Sequence, residues 1–217
     1  MSQKIHDITP LISEALAVFP GDTRFSRKTL MDINDSHIHL SSIETTVHLG
    51  AHTDAPVHYQ RGGKAIADVA LDRYLGPCLV LHAKTPRGER VAKKHLSENY
   101  RTITQWPCER VIVRTQSFPD PNQWNGDFCS LDPELIEEWA KSGVKLVGID
   151  TPSIDPETSK GLESHKMVAK YDLSILEGVV LSEIPEGIYT LIALPLKIAG
   201  ADASPVRAVL IETAPET

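Results

Sequence analysis

The stretch DPELIEEWAKSGVKLVGI, residues 132–149, contains the signals of a helix and of a strand directly after it. Asp132 and Pro133 fit the N-cap and the first position of a helix, because aspartate accepts from free backbone N–H groups and proline offers none. Apolar residues then recur at helical spacing until Gly143, and residues 144–149 have the β-branched, apolar composition of a buried strand. A helix followed at once by a buried strand is typical of α/β proteins.

Other apolar runs of strand length surround this stretch. They cover residues 78–83, 111–115, 178–181, 189–196 and 206–211. Weaker patterns predict a helix over 162–171 and a strand within 36–47, and the turn-forming residues of 117–126 predict a surface loop. Many strands with few helices favour a mixed or antiparallel sheet over a doubly wound parallel one. No internal repeat or long linker divides the chain, so we expect one domain over residues 1–217.

Composition narrows the possible functions. The chain has 22 Lys and Arg against 29 Asp and Glu, a net charge of −7, and no basic run of the kind that nucleic-acid binding requires. No apolar stretch is long enough for a membrane span, and no secretory pattern opens the sequence. The three cysteines form no CxxC pair, which argues against a disulfide framework or a cysteine zinc site. We therefore expect a cytoplasmic protein with reduced thiols.

Histidines and an aspartate cluster in HLGAHTDAPVH, residues 48–58. Gly50 and Pro56 disfavour a helix here, whereas in an extended chain every second side chain faces the same way. The side chains of shared parity are His48, His52, Asp54 and His58. Imidazoles with a carboxylate suit zinc and do not exclude manganese or iron. The alternative is an exposed polar face, but four such residues beside small neighbours favour a metal site.

This segment alone leaves the coordination shell of a metal incomplete, so further ligands are expected elsewhere in the chain. His165 and Glu177 are candidates. Spacing alone does not select them over His82, His95, Glu163 or Glu183.

The histidine motif resembles that of the cyclase family of metal-dependent amide hydrolases. Segments similar to that family extend over nearly the whole chain, and the C-terminal tail is similar to its formamidase branch. They are FPGDT at 19–23, YLGP at 74–77, GIDTPS at 148–153, SH at 164–165, ILEG at 175–178 and the tail at 191–209. The resemblance implies a swivelling β/α/β-type α/β domain with a mixed, largely antiparallel sheet and few helices. It also implies a homodimer.

Carried over position by position, the resemblance implies two zinc ions per subunit, with manganese as an alternative. The ligands would be His48, His52, Asp54, His165 and Glu177. In this scheme Asp54 and Glu177 each contact both ions, and His58 is the proton donor and acceptor. The roles of Asp202, Ser204 and Arg207 in the similar tail stay open.

The implied reaction is hydrolysis of N-formyl-L-kynurenine to L-kynurenine and formate, by hydroxide generated at the metal. One position departs from the pattern: Phe19 stands where the formamidases usually have Trp. Phe19 would contact the aryl group of the substrate, or it would simply belong to the core. The change makes a related aryl formamide, or a cyclic amide such as isatin, a second possibility. A metal-binding protein without turnover is a third.

Overall fold

The computed structural model describes residues 3–101 and 108–212, with thirteen strands and three α-helices in these ranges. The strands are β1 (Ile5–Asp7), β2 (Ser26–Met31), β3 (Leu40–Glu44), β4 (His52–Asp54), β5 (Leu75–His82), β6 (Arg90–Val91), β7 (Arg110–Arg114), β8 (Ser130–Leu131), β9 (Leu146–Ile149), β10 (Ser174–Leu176), β11 (Gly187–Ile192), β12 (Ala203–Pro205) and β13 (Val209–Glu212). The helices are α1 (Pro56–Tyr59), α2 (Pro133–Lys141) and α3 (Glu163–Lys170). None of these helices is long and apolar enough to cross a membrane.

A seven-stranded sheet in the order β1-β13-β11-β5-β7-β9-β10 organises the molecule. In this spatial order, neighbouring strands from β1 to β5 (β1, β13, β11 and β5) pair antiparallel. Neighbouring strands from β5 to β10 (β5, β7, β9 and β10) pair parallel. Three two-stranded pairs join β12 to β4, β2 to β3 and β6 to β8, and the first two are antiparallel. The expected mixed sheet with few helices is therefore confirmed.

The helix predicted from residues 132–149 forms as its caps require. Asp132 Oδ1 accepts from the backbone N–H of Glu134 at 2.8 Å, and Pro133 is the first helical residue. Trp139 is fully buried in the core between α2 and the parallel half of the sheet. The strand that follows, β9, is buried along its whole length, as expected of a parallel strand covered on both faces. The weaker helix prediction is also confirmed, as α3.

One predicted strand is wrong. Residues 178–181 run without a ladder, and the paired strand lies just before them, as β10. Gly178 has a left-handed φ of +66°, so the extended conformation ends there despite the apolar sequence. Two further runs are shortened, because β11 ends at Ile192 and β13 begins at Val209.

The two-stranded ribbon of β2 and β3 differs from the rest of the fold, because every residue of both strands is exposed. Large apolar side chains lie on the ribbon and in its connecting loop. They are Leu30, Met31, Ile33, Ile38, Leu40 and Ile43. A ribbon of two strands is marginal in water on its own, and exposed apolar clusters mark contact surfaces.

Candidate functional site

The strand β4 places two of the predicted ligands side by side. His52 and Asp54 are two residues apart on this strand, so both side chains point to the same face. His52 N donates to Glu177 O at 3.1 Å, and Glu177 N donates to His52 O at 2.9 Å. On its other edge β4 pairs with β12. Glu177, more than a hundred residues away in sequence, is thereby fixed beside His52.

The extended parity predicted for residues 48–58 is wrong at both ends of the motif. Gly50 has a φ of +56°, which turns the chain between His48 and β4. His58 lies on α1, because Pro56 is the first residue of this short helix rather than a residue of an extended run. A turn and a helical start bring these two histidines to the face that strand parity was expected to provide.

Gly178 fixes the approach of these segments. A Cβ at Gly178 would overlap the carbonyl oxygen of Gly50, and the left-handed φ of Gly178 itself favours glycine. The bare backbones of Gly50 and Gly178 therefore touch next to Glu177. This contact lets residues 48–58 pack directly against the segment that carries Glu177.

The carboxylate of Asp54 lies at the centre of four imidazoles. Its Oδ1 is 3.0 Å from His48 Nδ1 and 3.5 Å from His52 Nε2. Its Oδ2 is 3.3 Å from His165 Nε2 and 4.0 Å from His58 Nε2. The side chain of Asp54 is about 1% exposed, because these rings exclude water from the carboxylate.

Glu177 completes the cluster from the other side. Its Oε2 lies 3.2 Å from His52 Nε2, and its Oε1 lies 3.9 Å from His165 Nε2. The backbone N–H of Ile154 donates to Oε1 at 2.6 Å and so orients the carboxylate. All the sequence-predicted ligands thus lie together with His58. We name this set the polar wall: His48, His52, Asp54, His58, His165 and Glu177.

Two overlapping triads of the polar wall have the spacing of a metal site. His52, Asp54 and Glu177 each offer one atom within 4.8 Å of the others, and so do His48, Asp54 and His58. Asp54 belongs to both triads. His58 therefore also lies within ligand range, but its side chain is 34% exposed whereas His52 and His165 are almost fully buried.

One buried atom indicates a cation site. Asp54 Oδ1 makes no hydrogen bond to any described residue. His48 Nδ1 is near enough, at 3.0 Å, but does not have hydrogen-bond geometry toward it. A buried carboxylate oxygen without a donor is costly unless a charge balances it. A cation between Asp54 and the neighbouring rings would satisfy this oxygen, and the imidazole and carboxylate donors suit zinc or manganese.

The charges of the polar wall are strongly coupled. Burial disfavours the imidazolium forms, but the Asp54 carboxylate outweighs it and raises the pKa of His48 to about 9. Burial is likewise outweighed at His165, where Asp155 and Asp54 raise the pKa to about 10. Despite burial, the hydrogen bond from His165 and the neighbouring imidazoles hold the pKa of Asp54 well below its usual value. Without a cation, protons therefore occupy the positions where a metal would bind.

Asp155 is a member of the site that the sequence did not reveal. His165 Nδ1 donates to Asp155 Oδ2 at 2.7 Å, and Arg90 lies 2.8 Å from Asp155 Oδ1. The backbone N–H groups of Ser164 and His165 donate to the same carboxylate. This arrangement leaves Nε2 of His165 facing Asp54, as in metal sites where a carboxylate orients the ligating histidine. Metal-ligating histidines generally have such a partner, but the sequence did not indicate which residue it is.

Asp202, left open in the sequence, also touches the polar wall. Its Oδ2 lies 3.0 Å from His48 Nε2 and 3.4 Å from His58 Nδ1. The other two residues left open have structural contacts: the buried Ser204 Oγ accepts from Leu196 N at 2.8 Å, and Arg207 pairs with Asp7.

The rejected ligand candidates lie outside the cluster. His82 Nε2 donates to the carbonyl of Ile184, and His95 Nδ1 accepts from the N–H of Ala92. Glu163 pairs with Arg90, and Glu183 is exposed.

The polar wall faces a cavity of about 710 Å³, within the range of small-molecule sites. Three aromatic side chains also line this cavity, and we name them the aromatic wall: Phe19, Phe118 and Trp124. The Phe19 ring lies 5.1 Å from that of Trp124, edge to face. Phe19 is thus a cavity residue rather than a core residue. The loop 117–126 was correctly predicted, but it carries Phe118 and Trp124 into the cavity rather than only covering the surface.

Comparison with known proteins agrees with this geometry. A family model described as "Putative cyclase" matches residues 1–156. A kynurenine formamidase of Delftia acidovorans (strain DSM 14801 / SPH-1) is 44% identical over 211 residues, which are 97% of this chain and 98% of the relative. A structure described as a potential metal-dependent hydrolase with cyclase activity has a TM-score of 0.81 at 26% identity, and covers 99% of this chain and 100% of its own.

Isatin hydrolase A from Labrenzia aggregata shares the fold at 19% identity, with a TM-score of 0.81 over 98% of this chain and 94% of its own. The resemblance drawn from the histidine motif is therefore confirmed, and the chain belongs to the cyclase family.

Proposed function

We propose that this protein is a metal-dependent arylformamidase that hydrolyses N-formyl-L-kynurenine to L-kynurenine and formate. The observation that carries the proposal is the unpaired, buried Asp54 oxygen among four imidazoles, at the edge of a cavity with an aromatic wall. The 44% identity to a kynurenine formamidase over nearly the full chain supports the choice of substrate.

The polar wall would hold two zinc ions per subunit, with manganese as the alternative. His48 and His52 would bind the first ion and His165 the second, with Asp54 and Glu177 shared. A bound divalent cation lowers the pKa of water toward neutrality and draws electron density from a carbonyl oxygen. Asp155 and the backbone of Ile154 would hold His165 and Glu177 in place for this role.

His58 would transfer the proton. Asp202 Oδ2 lies 3.4 Å from His58 Nδ1, and His58 Nε2 faces the side of the cavity where Asp54 lies. His58 Nε2 takes a proton from the attacking water as oxygen bonds to the formyl carbon, and gives it to the aryl amine nitrogen as the C–N bond breaks. The 34% exposure of its side chain lets it exchange protons with solvent afterwards.

The aromatic wall would bind the aryl ring of the substrate. Phe19 and Trp124 meet edge to face and leave ring surface toward the cavity. Phenylalanine at position 19 offers ring contact without an indole N–H, so it selects by shape and not by a hydrogen bond.

We also propose that the chain acts as a homodimer of one-domain subunits in the cytoplasm. The exposed apolar side chains of the β2–β3 ribbon support a subunit contact, since another copy would cover them. Buried, unpaired cysteines at positions 78, 108 and 129 fit a reducing compartment.

The test is hydrolysis by the metal-replete protein, with N-formyl-L-kynurenine and isatin assayed side by side. We expect release of formate from the linear formamide at a kcat/KM well above that for isatin. Faster ring opening of isatin would move the chain to the cyclic amides. Turnover of neither compound by protein that holds metal would contradict the proposal.

A further inference from the structure

A carboxylate lies against the aromatic wall. Trp124 Nε1 donates to Glu157 Oε2 at 3.1 Å, and both residues line the cavity. The Trp124 ring is itself held by Phe19 and by Phe118, whose centroid is 5.7 Å away. The Glu157 side chain is therefore oriented by a fixed indole. Its Oε1 has no partner among the described residues.

A glycine makes room for this carboxylate. A Cβ at Gly126 would overlap Glu157 Oε2. The loop that carries Trp124 thus also carries Gly126, and the Glu157 carboxylate lies against the backbone of this glycine. Glu157 is only partly exposed as a result, although it lies in a loop.

The chain connects Glu157 closely to the polar wall. Ile154 N binds Glu177, and Asp155 binds His165. Glu157 follows Ile154 by three residues, a span of at most about 11 Å. A group bound at Glu157 and a formyl group at the polar wall can therefore belong to one small molecule.

Outside the polar wall, the charged side chains of the cavity are all acidic. No Lys or Arg side chain within ranges 3–101 and 108–212 lines it. Apart from the polar wall, its acids are Asp22, Asp150, Glu157 and Asp202. Asp150 is saturated by Thr115 and Gln116, and Asp202 is engaged by His48 and His58. Asp22 accepts from Thr46 on the exposed side. Asp22 and Glu157 each keep one oxygen without a partner among the described residues, and Glu157 is the one at the N–H edge of Trp124.

We infer that Glu157 is a binding subsite for a primary ammonium group, so that the enzyme selects aryl formamides whose ortho side chain carries a protonated amine. A carboxylate that is oriented by an indole N–H and keeps one oxygen free suits an ammonium ion, because a hydrogen bond between two charged groups is stronger than one between neutral groups. Outside the polar wall, a substrate whose only charge is negative would meet like charge and no Lys or Arg. The inference rests on the proposed function, because it assigns a second contact to the same substrate.

The test compares three compounds that share the 2-formamidophenyl ketone core. N-formylkynurenine carries an ammonium and a carboxylate, N-formylkynuramine carries the ammonium alone, and 2-formamidoacetophenone is uncharged. In Glu157→Gln, kcat/KM should fall about tenfold or more for both amines, mainly through KM, and stay within about twofold for the uncharged compound. Glu134→Gln, an exposed site on α2, is the matched control and should change none of the three.

Two further variants sharpen the assignment. Gly126→Ala should reduce amine selectivity in the same direction, since it displaces the Glu157 carboxylate. Asp22→Asn should not, and a selective loss in that variant instead of Glu157→Gln would overturn the assignment. An equal loss for charged and uncharged compounds in Glu157→Gln would overturn it as well.

Equilibrium binding separates this inference from the proposed function. Kynuramine should bind at least about tenfold more tightly than 2-aminoacetophenone to the wild type, and the difference should vanish in Glu157→Gln. If no formamide is hydrolysed but this difference is found, the proposed function fails and the subsite stands. If the formamides are hydrolysed but the difference is absent, the subsite fails alone. Matching melting temperatures for Glu157→Gln and wild type exclude misfolding as the cause.

Discussion

The two walls of the cavity are built in different ways. The polar wall comes from the turn before β4, from β4, α1 and α3, and from the residue after β10, and its groups are held by partners such as Asp155 and the N–H of Ile154. The aromatic wall comes from loops and has ring contacts as its main support. The packed elements therefore determine the reaction, and the loops, which tolerate sequence change, determine which substrate is selected. Substitutions in the first wall should affect metal, rate and stability, and those in the second mainly KM.

The largest effect is expected from Asp54→Ala. This variant removes the carboxylate shared by both triads, around which the four imidazoles are arranged. We expect loss of bound metal and a fall of turnover to the uncatalysed level, measured by elemental analysis and formate release. Phe19→Ala is the matched change on the other wall and should keep its metal. Full metal content in Asp54→Ala would remove the distinction between the walls.

His58→Ala tests whether this residue is a proton carrier or a ligand, since it lies within range of both roles. As a proton carrier, its loss should lower kcat by about 10²–10⁴-fold. The metal content should stay near that of the wild type. A loss of half the metal together with activity would make His58 a ligand instead.

Metal binding should release protons and strengthen as the pH rises. With pKa values raised to about 9 and about 10, His48 and His165 are protonated at neutral pH in the metal-free protein, and a cation must displace these protons. Since His48 would bind one ion and His165 the other, the apparent affinity for each ion should rise by up to about tenfold per pH unit from pH 7 until the pKa of its histidine is passed. Calorimetry in two buffers of different ionisation enthalpy measures the number of protons released when the metal binds. Identical heats in the two buffers would mean that no protons are released and would contradict the prediction.

Gly178→Ala should destabilise the fold around the polar wall. Its φ of +66° costs an alanine about 1–2 kcal/mol, and its Cβ would also overlap the carbonyl of Gly50. Gly62→Ala is the control, because Gly62 has a φ of +73° and open space around it. Urea unfolding should show a larger loss for Gly178→Ala than for Gly62→Ala. Equal losses would mean that the contact with Gly50 does not constrain the site.

The smallest effect is expected from Phe19→Trp. The larger ring adds contact area to the aromatic wall without reaching a metal ligand, so KM for N-formylkynurenine should change by less than about tenfold and kcat should hardly change. Steady-state kinetics decide this. A large fall in kcat would show that the two walls are not separable.

The sequence predicted the elements whose signals are local. The caps of α2, the buried strand after it and the shared face of His52 and Asp54 on β4 all depend on neighbours a few residues away, and all are confirmed. His165 and Glu177 came from the family resemblance, since nothing near them in the chain marks a ligand.

The site features that the sequence missed depend on contacts between distant segments. Asp155 behind His165, Asp202 behind His58 and the meeting of Gly50 with Gly178 appear only when the segments approach one another. Trp124 shows the same limit, because turn-forming neighbours mark a loop but not the direction in which its aromatic residue points.

The pairing of β4 with β12 has a consequence for the order of events during synthesis. His52 lies opposite Pro205, so the strand that carries two of the predicted metal ligands finds its partner only after about 150 further residues have been made. Glu177, on its other edge, is also made long after His52. The histidines of residues 48–58 thus remain without their full set of neighbours until the chain has been made as far as Pro205. The candidate site is assembled by contacts of long sequence separation, which form late.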